Sequence, residues 1–368
     1  MRYYIIAGEA SGDLHGANLM RALQRHDSDA QFRYWGGDAM QDVAGSPVRH
    51  IRDLAIMGFI EVVMHLRTVL GNIRFCKQDI LQYRPDVLVT IDYPGFNLKI
   101  AKFAHQHGIK TIHYISPQLW AWKKGRIKSM RKNLDKLCYI LPFEQEFYAQ
   151  NNFPQAVYVG HPLLDAVAQF REDTTQALNY EKPVVALLPG SRQQEIKRVL
   201  PTMLDLADRH PEYQYVVAGM SLLRDAFYQD LIGNRNNVAI LKDQTYRLLS
   251  NAYAAIVCSG TATLETALFN VPQVVCYRAN AISVAIARRL IGTRIKYISL
   301  VNLIADKPIV TELIQNDMNV ANLEKEFSSI TNTDSRQRML DEYAYLHTLL
   351  GSAGASDCAA QEIIKELT

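Results

Sequence analysis

The chain of 368 residues is 48% hydrophobic and 21% charged, a composition typical of a soluble globular protein. Its length exceeds what one ordinary core supports, so two domains are expected. The formal net charge of only +3 argues against a dedicated nucleic-acid-binding protein, whose domain would be more basic.

The cysteines are scattered along the chain, at Cys76, Cys138, Cys258, Cys276 and Cys358. Their odd number and the lack of a CxxC pair favour reduced thiols in a cytoplasmic protein over disulfides or a zinc site. The first residues, MRYYIIAGEASGD, predict a strand rather than a signal peptide. The sequence contains no run of about 18 apolar residues, so no transmembrane helix is predicted.

Short apolar runs alternate with longer amphipathic segments along the whole chain. In the first half the runs are YYIIA (3–7), FRYWG (32–36), DVLVTI (86–91), TIHYI (111–115), LCYIL (137–141) and VYVG (157–160). In the second half they are VVALL (184–188), YQYVVAG (213–219), VAIL (238–241), AAIVCSG (254–260) and QVVCY (273–277). Helical patterns such as 14–26 and 97–107 separate them. This alternation predicts parallel sheets with helices on both faces.

The polar stretch 171–182, REDTTQALNYEK, marks a boundary between the halves. The sequence therefore predicts two Rossmann-like, doubly wound α/β domains, 1–170 and 171–368, facing a cleft. Helical patterns close the chain, and they either stay with the second domain or pack back on the first. Ligands of such sheets bind outside the carboxyl ends of the strands, so the loops that follow strands are the candidate sites.

The segment AGEASGDLHGA (7–17) joins the first strand to the first helix. It is not GxGxxG, so a dinucleotide site is not indicated. Ser11 or Asp13 is a candidate N-cap of the helix. A tight turn with a good cap explains the segment slightly better than a ligand site, but Glu9, Ser11 and His15 are kept as candidate substrate contacts.

Asp92 comes directly after the apolar strand DVLVTI. A carboxylate at the rim of a parallel sheet is a candidate general base. Turn chemistry explains the same residue equally well, because Tyr93-Pro94-Gly95 forms a turn and aspartate often precedes one.

Two segments of the first half carry more apolar or basic character than a simple fold needs. In 116–132, Trp120 and Trp122 precede a cluster of cations that begins with Lys123, Lys124 and Arg126. The segment 53–83 is apolar over more than one helical stripe. A solvated basic helix and a buried helix are the ordinary explanations. A membrane surface or a phosphorylated, acylated ligand is the alternative.

Two loops of the second half lead into the start of a helix. In PGSRQQEI, Gly190, Ser191 and Arg192 are candidate phosphate contacts, and in SGTATLE the small donors are Ser259, Gly260 and Thr261. Glu265 lies one turn into the second helix, where a carboxylate can bind a ribose diol. Ordinary capping explains each loop alone, but together they favour a nucleotide diphosphate site.

In these motifs the chain resembles the lipid-A-disaccharide synthase family. The matching stretches run nearly end to end in the family's order: AGEASGD, LAIMGFIEVV, PDVLVTIDYPGFN, IKTIHYISPQLWAW, LPFE, GHPLLD, LLPGSR, SGTATLE, YISLVNLI and VTELIQ. The resemblance implies a glycosyltransferase B-type fold and an inverting, metal-independent reaction without a cofactor. It implies UDP-2,3-diacylglucosamine as donor and 2,3-diacylglucosamine 1-phosphate (lipid X) as acceptor, giving a β-1,6 disaccharide phosphate and UDP.

The resemblance also assigns roles. Asp92 matches the aspartate of the family's IDxPxFN motif as candidate base, Arg192 the arginine of PGSR as diphosphate contact, and Glu265 the ribose-binding acid. Asn302 lies in the matching SLVNLI stretch and is a further candidate. Gly95 stands where some members carry a second aspartate, which adds weight to Asp92.

The family works as a peripheral enzyme on the cytoplasmic face of the inner membrane of Gram-negative bacteria. The first domain would then face the acceptor and the membrane, and the second would bind the UDP-sugar. Two alternatives stay open: another B-type UDP-sugar enzyme, such as an epimerase or hexosaminyltransferase, and a non-catalytic nucleotide-binding protein of the membrane surface. The sequence leaves the oligomeric state undecided, with a homodimer as one candidate.

Overall fold

The computed structural model describes residues 1–54, 66–120, 125–172, 177–279 and 296–368. The chain divides into two compact units, one formed by Met1–Ala166 with Ser352–Thr368 and the other by Val167–Gly351. Each unit is built on a parallel sheet flanked by helices, which confirms the predicted α/β class.

The sheet of the first unit has seven parallel strands in the order β3-β2-β1-β4-β5-β6-β7. The strands are β1 (Arg2–Ala7), β2 (Gln31–Gly36), β3 (Arg49–His50), β4 (Val87–Ile91), β5 (Lys110–Tyr114), β6 (Lys136–Tyr139) and β7 (Ala156–Tyr158). β4 is buried along its whole length, as expected for a strand covered on both faces.

The helices that belong to this unit alternate with the strands. They are α1 (Ala10–His26), α2 (Asp38–Ala44), α3 (Ile51–Leu54), α4 (Leu66–Tyr83), α5 (Pro94–Gln106), α6 (Arg126–Asn133) and α7 (Glu144–Gln150). α8 (Pro162–Glu172) leads into the second unit, and the last helix of the chain, α16 (Ala355–Lys365), packs on α1 in the first.

The sheet of the second unit has six parallel strands in the order β10-β9-β8-β11-β12-β13. They are β8 (Val184–Leu188), β9 (Gln214–Gly219), β10 (Val238–Lys242), β11 (Ala252–Cys258), β12 (Gln273–Tyr277) and β13 (Thr311–Ile314). The helices are α9 (Gln193–Arg209), α10 (Asp225–Ile232), α11 (Thr245–Ser250), α12 (Thr261–Leu268), α13 (Leu300–Ala305), α14 (Val320–Thr331) and α15 (Thr333–Leu350), with a 3-10 turn at Gln315–Asp317.

Each unit has its own apolar core on both faces of its sheet. In the first unit the core includes the buried rings of Tyr4, Trp35 and Phe96, and in the second those of Tyr215 and Phe327. The described part of the chain contains no helix that is long and apolar enough to cross a membrane.

In both sheets the strand order reverses beside the first strand. The loops that follow β1 and β4 are therefore neighbours at the carboxyl edge of the first sheet. The loops that follow β8 and β11 are neighbours in the same way in the second. Such a switch point is where doubly wound sheets bind their ligands.

Candidate active site

At the switch point of the first unit, the loop after β1 touches the loop after β4. Ala7 and Ile91 are paired in register, so Gly8 lies beside Tyr93. A Cβ atom at Gly8 would lie 2.5 Å from the Tyr93 ring, closer than real contacts allow. Glycine is therefore needed here for the two loops to approach.

The turn at Asp92 has an unusual backbone. Asp92 and Tyr93 both adopt left-handed conformations, with φ values of 44° and 48°, which is uncommon for residues other than glycine. The Asp92 amide donates to the Tyr114 carbonyl at 2.9 Å. The buried amide of Asn97 donates to the carbonyls of Ile91 and Asp92 at 3.0 and 2.7 Å. These bonds hold the Asp92 side chain at the end of β4.

The Asp92 carboxyl group is half-buried, and its surroundings make it a better proton acceptor than an ordinary aspartate. Burial, and then the charge of Glu9, raise its pKa to about 6. A hydrogen bond from the Tyr93 amide opposes this shift. The group is thus ionised at neutral pH, yet it has the basicity that general-base catalysis requires.

The other candidates of the first loop have different surroundings. Glu9 is half-buried and precedes α1, and Ser11 is exposed in its first turn. His15 is buried, and its Nδ1 has no hydrogen-bond partner among the described residues. Burial lowers its pKa to about 4, so the imidazole is neutral.

Neither candidate cap of α1 acts as one, because no side chain caps this helix. Asp13 instead accepts hydrogen bonds from the amides of Gly37, Ala39 and Met40, at 2.6 to 3.1 Å. It therefore caps the start of α2. The prediction was wrong because the Asp13 carboxylate reaches the start of the neighbouring helix and not that of its own.

In the second unit, the loop after β8 brings Arg192 to the start of α9. Gly190 has φ of 105°, and a Cβ there would lie 2.9 Å from Glu195 Oε2. Arg192 is the N-cap residue of α9, and its guanidinium lies 3.6 Å from Glu195 Oε1 with 54% of the side chain exposed. Ser191 is also exposed. An exposed cation at the start of a helix without a side-chain cap suits an anion.

The loop after β11 forms a second helix start. Gly260 is the N-cap residue of α12, and Gly260 and Thr261 are exposed. Ser259 donates from Oγ to the Ile298 carbonyl at 3.0 Å, so its hydroxyl hydrogen is already used. Glu265 accepts a hydrogen bond from the Tyr246 hydroxyl at 3.0 Å, and burial raises the pKa of its carboxyl group.

Both polar atoms of the Asn302 side chain have hydrogen-bond partners. Its amide nitrogen donates to the Val310 carbonyl and to Glu312 Oε1, both at 2.9 Å, and its amide oxygen accepts from the Val310 amide. Glu312 also accepts from the Ile298 amide and from the amide and hydroxyl of Ser299. The stretches YISLVNLI and VTELIQ are therefore joined by hydrogen bonds. Asn302 stabilises the loop whose Ile298 carbonyl accepts the Ser259 hydrogen bond.

The basic segment is only partly described. Trp120 packs edge-on against Phe143 with ring centroids 5.1 Å apart, and Arg126 begins α6. The candidates Trp122, Lys123 and Lys124 lie outside the described residues, as do 55–65 of the apolar stretch. Where the side chains can be described, no group of three or more histidine, cysteine or acidic residues is arranged to hold a metal ion.

The comparisons with known proteins identify the family. The family model described as lipid-A-disaccharide synthetase matches residues 3–366. The lipid-A-disaccharide synthase of Syntrophus aciditrophicus is 38% identical, over 97% of this chain and 95% of that protein. The chain belongs to the lipid-A-disaccharide synthase family. The member from Chromohalobacter salexigens is 36% identical, over 99% of this chain and 96% of that protein.

The chain is therefore a glycosyltransferase of lipid A biosynthesis, as the resemblance implied. The fold agrees with that of a solved UDP-GlcNAc 2-epimerase from Neisseria meningitidis bound to UDP-GlcNAc. The TM-score is 0.70 at 13% identity, over 99% of this chain and all of that one. At this identity the likeness shows a shared two-domain fold and no shared activity.

Proposed function

We propose that the chain transfers 2,3-diacylglucosamine from its UDP derivative to 2,3-diacylglucosamine 1-phosphate, with Asp92 as the base and Arg192 as a diphosphate contact. The observation that carries the proposal is the carboxyl group of Asp92, half-buried at a switch point and raised in pKa to about 6. The turn at Asp92 has a left-handed backbone that Asn97 holds in place, and such strained backbone is typical of functional sites.

The donor's nucleotide is assigned to the second unit. The exposed Arg192 at the start of α9 and the start of α12, at the exposed residues Gly260 and Thr261, are suited to a diphosphate. Glu265 lies one turn into α12, with a carboxylate able to accept hydrogen bonds from a ribose diol. The epimerase of the same fold binds UDP-GlcNAc, which supports a UDP-sugar here.

In the reaction, the 6-hydroxyl of the acceptor attacks the anomeric carbon and the bond to UDP breaks. Asp92 accepts the hydroxyl proton as the new bond forms. The charge that develops on the leaving diphosphate is stabilised by Arg192 and the helix amides, which are already oriented before the reaction. The attack inverts the anomeric configuration, and the β-1,6 disaccharide results.

The membrane contact is part of the same proposal. Both substrates carry acyl chains, so the enzyme must take them from a bilayer. The basic segment from Trp120 to Lys132 and the apolar stretch 54–70 are the candidate contacts, placed on the cytoplasmic face of the inner membrane. A homodimer is one candidate assembly.

The test is incubation of the protein with UDP-2,3-diacylglucosamine and the monosaccharide phosphate, followed by mass spectrometry. The disaccharide phosphate and UDP are expected in equal amounts, with and without EDTA. An epimerised UDP-sugar would favour the other B-type enzyme, and nucleotide binding without any product would favour the non-catalytic protein. Recovery of activity only on adding Mg²⁺ would contradict the metal-independent mechanism.

A further inference from the structure

A buried carboxylic acid lies in the first unit, outside the machinery assigned above. Glu144 begins α7 in the motif LPFE, and only 1% of it is exposed. Its Oε2 accepts a long hydrogen bond, 3.4 Å, from the Leu141 amide, and its Oε1 has no partner among the described residues. A buried carboxyl group is normally satisfied on both oxygens, so this residue needs an explanation.

Residues on either side of Glu144 contact the segment that follows β5. Ser116 of that segment shares a short hydrogen bond with the Tyr148 hydroxyl of α7, and Glu144 lies one turn earlier on the same helix. Further along, the Trp120 ring packs edge-on against Phe143, the residue before Glu144. Tyr148 of α7 and Phe143 just before the helix thus contact the segment 116–120 at its two ends.

The same segment borders the proposed base. β5 is paired with β4, and the Asp92 amide donates to the carbonyl of Tyr114, two residues before Ser116. The Nε1 of Trp120 is buried and has no acceptor within the described part of the chain. The segment beside the Asp92 loop therefore offers an unused donor next to an aromatic ring.

We propose that Glu144 is a positioning residue that holds the segment 116–120 in the form that binds the acylated acceptor. The inference rests on the proposed function, because it assigns the acceptor to this unit. The Trp120 N–H donates to an oxygen of the acceptor, such as an acyl carbonyl. A charged Glu144 would draw water into the site and loosen the segment.

The electrostatics agree with this geometry. Burial raises the pKa of the Glu144 carboxyl group to about 8, although the amides of Leu141 and Ile140 and the Ser116 hydroxyl oppose the shift. The titratable groups that face it are Tyr139 of β6 and Tyr148 of α7, whose own pKa values are raised. The acid is therefore neutral at pH 7 and becomes charged above about pH 8.

The experiment measures KM for the acceptor and for the donor between pH 6.5 and 9.5. If only the neutral form of Glu144 is competent, acceptor KM rises about tenfold from pH 7 to pH 9, while donor KM does not. Glu144→Gln keeps a neutral group of the same shape, so its acceptor KM should not rise with pH. The matched control is Glu146→Gln, an exposed residue of the same helix bonded to Gln150, which should show the wild-type rise.

A second variant keeps the test decisive if Glu144→Gln does not fold. Trp120→Phe retains the ring against Phe143 and removes the N–H, so acceptor KM should rise at every pH with kcat little changed. An alkaline rise shared by wild type and Glu144→Gln, or an unaltered acceptor KM in Trp120→Phe, overturns the inference. Absence of any disaccharide from the wild-type protein would instead refute the proposed function.

Discussion

Glu9 and Asp92 follow the paired strands β1 and β4, and the charge of Glu9 adds to burial in raising the pKa of Asp92. Two carboxyl groups at one switch point repel each other when both are ionised, which favours a proton on one of them. In the proposed mechanism this is useful, because Asp92 must take a proton from the acceptor during turnover.

Asp92→Asn should keep the fold and the affinity for UDP but lose most turnover. Loss of a general base costs about two to four orders of magnitude in rate. The folded pKa of Asp92 lies above its ordinary value of 3.8, so its ionisation opposes folding, and stability is lost as pH rises through about 6. The asparagine variant should therefore have a higher Tm than wild type at pH 7.5 and lose that advantage below pH 4. A near wild-type rate would assign the base to another residue.

Glu9→Gln tests the coupling between the two carboxyl groups. The wild-type kcat/KM should fall as pH drops through about 6, because Asp92 becomes protonated. Removal of the Glu9 charge should lower the pKa of Asp92 and so move this fall in kcat/KM, the acid limb of the pH profile, to lower pH. Asp29→Asn, a change on the exposed turn after α1, is the control and should leave the limb in place. An acid limb that stays fixed in Glu9→Gln would show that burial alone sets the pKa.

Arg192→Ala should weaken UDP binding and slow the chemical step. The guanidinium is the exposed cation at the start of α9, and one charge-assisted contact is worth roughly 1.5–3 kcal/mol. The matched control is Arg209→Ala at the other end of the same helix, where the arginine pairs with Glu324. Calorimetric titration should show a loss of UDP affinity for the first variant only. Equal affinities for both would move the diphosphate away from this loop.

The sequence predicted the strands well because parallel strands covered on both faces are continuous apolar runs. VVALL and QVVCY match β8 and β12 residue for residue. β3, at Arg49–His50, was missed because two polar residues at a sheet edge carry no apolar signal. β13, at Thr311–Ile314, was quoted only inside a family motif, since its short mixed pattern resembles a loop.

The candidate site was harder to predict, because loop residues act through partners that are distant in the chain. Asn302 was selected for its motif, and only the structure shows that Val310 and Glu312 use its whole amide. Glu195 and Glu144 stood in quoted motifs without a role. For Glu195 a signal was available, because it lies three residues after Arg192 and residues at that spacing on a helix can pair. No sequence pattern indicates that Glu144 is buried.

Asp165→Ala should destabilise the docking of the last helix. The Asp165 carboxylate accepts hydrogen bonds from the amides of Gly354, Ala355 and Ser356, at 2.6 to 3.2 Å, and so caps α16. Loss of a cap costs about 0.5–2 kcal/mol. Hydrogen exchange should show faster exchange of the α16 amides, with those of α9 unchanged. Asp165→Asn, which keeps an acceptor oxygen, should lie between the variant and wild type. Unchanged protection in Asp165→Ala would show that packing on α1 alone holds α16.

The proposed membrane contact predicts salt-dependent binding to anionic vesicles. Each cation near an anionic surface contributes up to about 1 kcal/mol, and exposed charges are screened over about 10 Å at 0.1 M salt. The protein should sediment with such vesicles at low salt and be partly released at high salt. Replacing Lys123, Lys124 and Arg126 with glutamine should weaken binding by up to about a hundredfold and leave UDP affinity unchanged.

The control for this variant removes the same charge from other surfaces. Glutamine at Arg209, Lys325 and Lys365, each at least 48% exposed, should leave vesicle binding nearly unchanged. Equal loss in both triple variants would mean that net charge alone drives the attraction. If the basic segment instead binds only the acceptor's phosphate, the variant at Lys123, Lys124 and Arg126 would bind vesicles normally and have a raised acceptor KM. Vesicle sedimentation and acceptor KM, measured on the same preparations, therefore separate a membrane contact from a substrate contact.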